Sequence, residues 1–279
     1  MTVEFLTRAD LLHGGLTRRS IQAAVRRGEL LHIRRDRYLR ADTHEEFARA
    51  VRVGGRLTCL SLLALLGVFV LENRHLHVHV GPTSSRLRFA RKPETRFGTA
   101  RRRVRVHWTN LIEVPGSSCS VQVLDALAHA VVCQTPRTAV ATIDSALHLG
   151  LVVEAQLAEL FAALPARFRA LQPLVDGRAE SGPESLVRIM ARMLGCDIQL
   201  QVEFDGIGRV DLVLDGWLVV ECDSKQFHAS WEAQQRDRNR DLALAARGYC
   251  TIRLTAATIM YRPDEAFAAL RGLVESRRG

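Results

Sequence analysis

The fold of the C-terminal region is decided by residues 209–223, which read RVDLVLDGWLVVECD. Two runs rich in Val and Leu flank Asp215-Gly216, a dipeptide typical of a tight β-hairpin turn. The runs are therefore predicted to form antiparallel strands at 209–214 and 217–223. Because strand residues two positions apart point to the same side, Glu221 and Asp223 are expected on one face.

A third acid, Asp211, lies on the neighbouring strand, and its position depends on the length of the turn. A strict two-residue turn pairs Asp211 with Val220 and places it on the face opposite to Glu221. One extra residue, in a bulge or a three-residue loop, brings Asp211 to the same side as Glu221. We predict this irregularity. Carboxylates gathered in this way repel one another unless a cation neutralises them, and an all-oxygen site favours Mg²⁺ or Mn²⁺.

The elements around this hairpin predict a small α+β domain at 177–279. Ser181 precedes a predicted helix at 183–194 that carries Glu184 in its first turn, where the helix dipole favours a carboxylate. A strand at 199–204 precedes the hairpin, and a polar helix at 230–247 and a strand at 249–254 follow it. The predicted order of elements is therefore αβββαβ.

The polar helix at 230–247 carries Arg236 and Arg240 at a spacing of four residues, which places them on one helix face. They are expected to contact phosphate groups. The alternative is that they pair with Asp237 and Asp241 in a solvated ladder of charges.

The first segment, residues 1–43, has the pattern of a winged helix-turn-helix. Thr7 and Thr17 are expected to cap short helices at 8–13 and 18–27, and two short strands follow at 30–33 and 37–39. The second helix would direct four side chains toward DNA: Arg18, Arg19, Gln22 and Arg26. The alternative is a solvated basic helix in a small structural module.

The middle segment, residues 44–176, is expected to be an α/β domain. Its longest apolar run, at 57–71, is too short to span a bilayer and predicts a buried helix. His75, His77 and His79 alternate along a predicted strand, so they either bind a metal ion or form an exposed polar face. A basic loop at 86–105 includes the run Arg101, Arg102 and Arg103, which either contacts phosphate or forms a solvated hairpin.

The C-terminal segment resembles the PD-(D/E)xK nuclease superfamily, in particular the branch similar to very-short-patch-repair endonucleases. The resemblance rests on these residues: Glu184, Gln201, Val210 to Leu212, Val219 to Asp223, Phe227-His228 and Arg236 to Asp241. It implies a restriction-endonuclease-like fold and a metal held by Asp211, Glu221 and the backbone carbonyl of Cys222.

The same resemblance implies supporting roles for residues near those three ligands. Glu184 supports the site, and Asp223 stands where most members of the superfamily have Lys. Lys225, two residues further on, could replace that Lys, and His228 could act as general base or acid.

The first 150 residues resemble AbiEi-type antitoxins, which are transcriptional repressors with a winged helix. The resemblance rests on the helix-turn-helix, the segment 33–38 (IRRDRY), residues 59–67 and residues 144–147 (DSAL). It implies DNA binding and says nothing about catalysis.

The composition agrees with a polyanionic partner, because the formal net charge is +9. The six cysteines form no C-x-x-C pair, which predicts reduced thiols, and the charged first ten residues predict a cytoplasmic protein outside membranes. Our leading interpretation is a Mg²⁺-dependent DNA endonuclease. The alternative is an antitoxin-like repressor with an inert nuclease fold. RNA as substrate, a homodimer, and a toxin-like or repair protein as partner stay open.

Overall fold

The structure is a computed structural model that describes residues 3–84, 87–88, 103–223 and 231–278, leaving aside the side chains of 232–234. The chain is a mixed α+β protein with several small sheets, as expected. Within the described residues the helices are α1 Arg8–His13, α2 Arg18–Arg26, α3 Glu45–Val53, α4 Cys59–Leu65, α5 Val123–Cys133, α6 Pro136–His148, α7 Leu157–Ala163, α8 Gly182–Met193, α9 Trp231–Ala246, α10 Ala256–Tyr261 and α11 Pro263–Arg278. The strands are β1 Leu30–Arg34, β2 Arg37–Arg40, β3 Arg56–Leu57, β4 Leu76–His79, β5 Val104–His107, β6 Ile198–Phe204, β7 Gly208–Leu214, β8 Leu218–Asp223 and β9 Cys250–Thr255.

The chain divides into two compact units. Unit 1 consists of Met1–Gln134 and Val152–Arg169, and unit 2 of Thr135–Leu151 and Ala170–Gly279. Helix α6, which lies in the predicted middle segment, packs against α8 in unit 2. The three predicted segments, with boundaries after residues 43 and 176, stay predictions.

Unit 1 begins with two short helices followed by the antiparallel strands β1 and β2. Thr7 and Thr17 accept hydrogen bonds from the backbone N–H groups of Asp10 and Ser20, so both predicted N-caps are confirmed. Ile21 of α2 is buried in a cluster with Leu11 and Tyr38, and Val25 packs against it. The opposite side of α2 is solvated, and the four side chains predicted to face outward are exposed: Arg18, Arg19, Gln22 and Arg26.

The second sheet of unit 1 has the order β3-β4-β5, in which β3 is antiparallel and β5 parallel to β4. The apolar run at 57–71 contains the short buried helix α4, which covers only Cys59–Leu65 and packs against α5 and β4, whereas Leu57 belongs to β3. None of the helices in the described ranges has the length and apolar character that a bilayer crossing requires.

Unit 2 contains one sheet of order β6-β7-β8-β9, antiparallel except for the parallel pair of β8 and β9. From α8 to β9 the described elements follow the chain as α8, β6, β7, β8, α9 and β9, which is the order predicted from the sequence, and α6, α10 and α11 also belong to the unit. Ser181 caps α8, and α9 contributes the buried Leu244 to a cluster that includes Val213 and Val219. The sheet thus has a well-packed frame on which the predicted acidic residues lie.

Candidate functional site

The hairpin between β7 and β8 contains the predicted extra residue. Leu214 pairs with Leu218, so the loop has three residues, of which Asp215 and Gly216 adopt left-handed φ angles of 49° and 70°. The paired residues end at Leu212 and Val220. Extending this register by one residue sets Asp211 opposite Glu221 on the same side of the sheet. The irregular hairpin is confirmed, and its register agrees with the prediction that these two acids share one side of the sheet.

Asp211 is half-buried and is fixed by the strand that it faces. Its Oδ2 atom accepts a hydrogen bond of 2.7 Å from the backbone N–H of Cys222. This bond leaves the second carboxylate oxygen and further lone pairs available. Side chains directly opposite each other on antiparallel strands have Cβ atoms ~5 Å apart. Asp211 and Glu221 are therefore neighbours on the sheet, and the charge of Asp211 contributes to raising the pKa of Glu221.

Glu221 is 6% exposed and has a cationic partner on α9. The Nη2 atom of Arg240 lies 3.0 Å from its Oε1 atom, although Oε1 has no aligned hydrogen-bond donor among the described residues. Arg240 also donates to the backbone carbonyl of Arg209. The predicted charge ladder along α9 is therefore wrong for Arg240, which pairs with Glu221, and for Asp241, which pairs with Arg253 at 2.8 Å.

Glu184 and Gln201 form a polar link beside Asp211. Glu184 lies buried in the first turn of α8, and its Oε2 atom accepts a hydrogen bond of 2.7 Å from Nε2 of Gln201. Gln201 adopts a left-handed φ of 53° within β6. Its neighbours Leu200 and Val202 pair with Leu212 and Val210 of β7, so Gln201 lies opposite Asp211. Such a conformation costs ~1–3 kcal/mol in a residue other than glycine, and strain of this kind concentrates at functional sites.

The carboxyl groups in this region influence one another's protonation. Burial raises the pKa of Glu221, and the charge of Asp211 adds to this rise while Arg240 opposes it. Burial likewise raises the pKa of Asp211, against the hydrogen bond from Cys222. The pKa of Glu184 is raised by burial and by Asp211 as well. The three ionised carboxylates therefore destabilise the folded protein at neutral pH.

This destabilisation predicts how stability responds to pH and to divalent ions. For groups with raised pKa values in the folded state, the free energy of unfolding decreases as pH rises from their ordinary values into the raised range. A bound cation removes this loss at neutral pH. We expect Mg²⁺ or Mn²⁺ at 100 times its Kd to stabilise the wild type by ~2.7 kcal/mol. Thermal unfolding at pH 7.5, with and without the divalent ion, measures this stabilisation. An equal stabilisation of Asp211→Asn by the ion would contradict a shared site.

The other predicted site residues have mixed positions. Asp223 is exposed at the end of β8, where its Oδ1 atom lies 3.9 Å from Nη1 of Arg253. Arg103 and Arg236 are exposed, as expected for residues that contact phosphate. Four predicted residues lie outside the described ranges: Arg101, Arg102, Lys225 and His228.

An arginine-rich cleft in unit 1 was not predicted from the sequence. The cleft has a volume of about 330 Å³, and four arginines line it: Arg34, Arg35, Arg37 and Arg56. Burial, together with the nearby charges of Arg88 and Arg37, lowers the pKa of Arg34. The signal in the sequence is the run of arginines at the turn between β1 and β2. Arg56 is distant in sequence and could not be added from that run.

The histidine-rich strand β4 is buried instead of exposed. His77 and His79 are 3% and 4% exposed, so an exposed polar face is wrong for both, whereas His75 lies just before the strand and is exposed. His77 belongs to a group with Cys59, His107 and Cys133 that could hold a metal ion. Nitrogen and sulfur ligands are not those that Mg²⁺ prefers.

Comparison with known proteins yields no match: no protein-family model fits the sequence, and no similar curated protein or solved structure was found.

Proposed function

We propose that this chain is a metal-dependent endonuclease that hydrolyses phosphodiester bonds of DNA. The observation that carries the proposal is the opposition of Asp211 and Glu221 across β7 and β8, with both side chains at least half-buried. Acids in such a position are costly for a purely structural sheet, because burial and mutual repulsion disfavour their charged forms. A cation-dependent function gives them a physical reason.

The donor atoms at this position fit Mg²⁺ or Mn²⁺. The carboxylates of Asp211 and Glu221 and the backbone carbonyl of Cys222 would provide oxygen ligands only, which these hard ions favour. The buried Oε1 atom of Glu221, which lacks an aligned donor among the described residues, agrees with an ionic ligand. A divalent ion supplies an activated water and stabilises the charge that develops on the attacked phosphate.

The surrounding residues of the chain orient these ligands and balance their charge. The hydrogen bond from Cys222 orients Asp211, while Glu184 and Gln201 are joined by a hydrogen bond beside it. Arg240 neutralises Glu221 before an ion binds, and its guanidinium group is suited to a phosphate oxygen afterwards. Asp223 supports the ligand set, and we assign proton transfer to His228 or Lys225.

DNA binding is proposed for two basic surfaces of unit 1. One is the exposed side of α2, where Arg18, Arg19 and Arg26 lie with Gln22. The other is the cleft of four arginines beside the β1–β2 turn. Arginine is well suited to such contacts, because its planar guanidinium group binds phosphate oxygens in pairs.

The contribution of α2 can be measured as a salt dependence. Each phosphate contact that is lost lowers the slope of log K against log salt by ~0.9 for duplex DNA. The double substitution Arg18→Gln, Arg26→Gln is expected to remove two phosphate contacts. The magnitude of the slope should therefore decrease by ~1.8. The matched control is Arg40→Gln, which removes an exposed arginine already paired with Asp42. An equal change in both proteins would exclude α2 as a phosphate-binding surface.

The nuclease activity is tested by incubating the purified chain with supercoiled plasmid, single-stranded DNA and RNA in Mg²⁺ or Mn²⁺. The proposal predicts nicking of DNA that requires the divalent ion. Cleavage of RNA alone would assign the same site to a ribonuclease. Failure to cleave any of the three substrates would contradict the proposal.

The second candidate is an antitoxin-like DNA-binding repressor whose nuclease-like unit is inert. The ion pair between Arg240 and Glu221 favours it, because the arginine already supplies the cation that Glu221 needs. This candidate predicts tight binding to the promoter of its own gene, together with no heat of Mg²⁺ binding in calorimetry. A gel-shift titration on that promoter, with unrelated DNA of the same length as control, separates it from the endonuclease.

A further inference from the structure

Four potential metal ligands from separate elements converge inside unit 1. Cys59 is the first residue of α4, His77 lies in β4, His107 ends β5 and Cys133 ends α5. One ligand atom from each residue lies within 4.8 Å of those of the other three. The cluster belongs to unit 1, whereas the predicted Mg²⁺ ligands belong to unit 2, and no part of the proposed nuclease chemistry uses it.

Two of the distances in the cluster lie close to those of a tetrahedral zinc site. Nδ1 of His77 lies 3.1 Å from Nε2 of His107, and Sγ of Cys133 lies 4.0 Å from the same Nε2 atom. Zinc bond lengths to nitrogen and sulfur imply tetrahedral edges of ~3.3 Å between nitrogens and ~3.6 Å between nitrogen and sulfur. These two pairs of ligand atoms therefore need shifts of only a few tenths of an ångström to reach zinc geometry.

Burial and charge favour a closed zinc site over other ions. Cys59, His77 and His107 are buried, and Cys133 is partly buried. Two thiolates balance the charge of one Zn²⁺, and two neutral histidines complete four-coordination without a net charge in the core. Two sulfur and two nitrogen ligands in a compact cluster are typical of zinc and unlike the sites of Mg²⁺ or Ca²⁺.

A second layer of side chains holds two of the ligands in place. The ring of His129 stacks on that of His107, with 4.6 Å between centroids. Its Nδ1 atom lies 2.7 Å from Oγ1 of Thr58, the residue before Cys59, and its Nε2 atom lies 2.5 Å from Oγ1 of Thr109. Outer residues of this kind orient metal ligands and contribute to affinity.

The backbone at Cys59 adds an independent sign of constraint. This residue has a φ of 53°, a left-handed conformation that is uncommon outside glycine and asparagine. The strain of ~1–3 kcal/mol persists only where the surrounding structure imposes it. Metal ligation can hold this backbone conformation, because a zinc–sulfur bond fixes the side chain of Cys59.

From these observations we propose that Cys59, His77, His107 and Cys133 bind a structural zinc ion that stabilises unit 1. The four protein ligands leave no open coordination position, so the ion is structural and takes no part in catalysis. The full chain, purified without chelators, is expected to contain about one zinc ion per molecule by elemental analysis. Replacing the metal with Co²⁺ should produce a thiolate-to-cobalt charge-transfer band and the intense visible bands of tetrahedral cobalt.

The matched variants are Cys133→Ser and Cys119→Ser, since Cys119 is a fully buried free thiol of the same unit outside the cluster. We expect Cys133→Ser to lose most of the zinc and Cys119→Ser to retain it. Equal zinc loss in both variants, or iron in place of zinc, would overturn the proposal. The cobalt spectrum of the wild type tests whether the thiolates bind a metal, even where a variant fails to fold. A spectrum without thiolate charge transfer contradicts the site, and this result is independent of any nuclease assay.

Discussion

Replacing Asp211 with Asn is expected to lower the rate of plasmid nicking by ~10²–10³-fold, because a metal contributes several kcal/mol of charge stabilisation in the transition state. The substitution removes the negative charge but keeps an oxygen that can accept the hydrogen bond from Cys222. The fold should therefore survive, and the free energy of unfolding in buffer free of added divalent ions should stay equal or increase. The loss would appear in the rate at saturating substrate, measured by gel electrophoresis of nicked plasmid.

The matched control for this experiment is Asp205→Asn. Asp205 is an exposed acid in the β6–β7 turn of the same sheet. Its substitution therefore removes the same charge and leaves Asp211 and Glu221 unchanged. We expect its nicking rate to stay within a factor of about two of the wild type, since surface substitutions of this kind usually change energies by less than ~0.5 kcal/mol. If both variants lose activity equally, Asp211 has no special role and the loss reflects net charge.

Replacing Asp144 with Ala is expected to destabilise unit 2 by ~3–5 kcal/mol, because breaking a buried ion pair leaves an unpaired charge. Asp144 on α6 is fully buried and accepts a hydrogen bond of 2.7 Å from Nη2 of Arg188 on α8, which is 3% exposed. The other oxygen of Asp144 accepts from the backbone N–H of Asp176 at 2.8 Å. The substitution therefore removes the partner of a buried guanidinium group and of a backbone donor.

Hydrogen exchange of the amides in α6 and α8, under increasing denaturant, measures this loss within unit 2. The matched control is Glu265→Gln, which breaks an exposed ion pair with Arg262 in the same unit. Exposed pairs contribute ~0–1 kcal/mol, so this control should change little. A cost for Asp144→Ala no larger than that of the control would mean that water or another donor replaces the lost partner.

Local patterns predicted much of unit 2 because each pattern has a local physical cause. Ser181 could be identified as a cap, and the alternation of Val and Leu around Asp215-Gly216 identified β7 and β8. A hairpin loop with an odd number of residues was needed because side chains alternate along a strand with a period of two. The loop length therefore fixes the side of the sheet on which Asp211 lies. The pairing of Arg240 with Glu221 could not be predicted, since it depends on how α9 packs against the sheet.

The histidine and cysteine cluster shows why sites formed by tertiary packing could not be predicted from the sequence. His77 was a candidate metal ligand from alternation along one strand, but its partners in the structure are not the neighbouring histidines. Cys59, His107 and Cys133 come from three other elements, separated by spacings that match no short metal-binding motif. Their convergence is a property of tertiary packing. The same applies to Asp144, which in sequence looks like an ordinary polar residue of an apolar helix.

The proposed nuclease activity requires that Asp211 and Glu221 share one divalent ion. Its most direct test is an anomalous difference map from a crystal of the wild-type chain soaked in Mn²⁺. A shared ion predicts a peak in contact with both carboxylates, with the guanidinium group of Arg240 displaced from Glu221. A map with no peak between these two residues, in which Arg240 stays on Glu221 at saturating Mn²⁺, would contradict the claim.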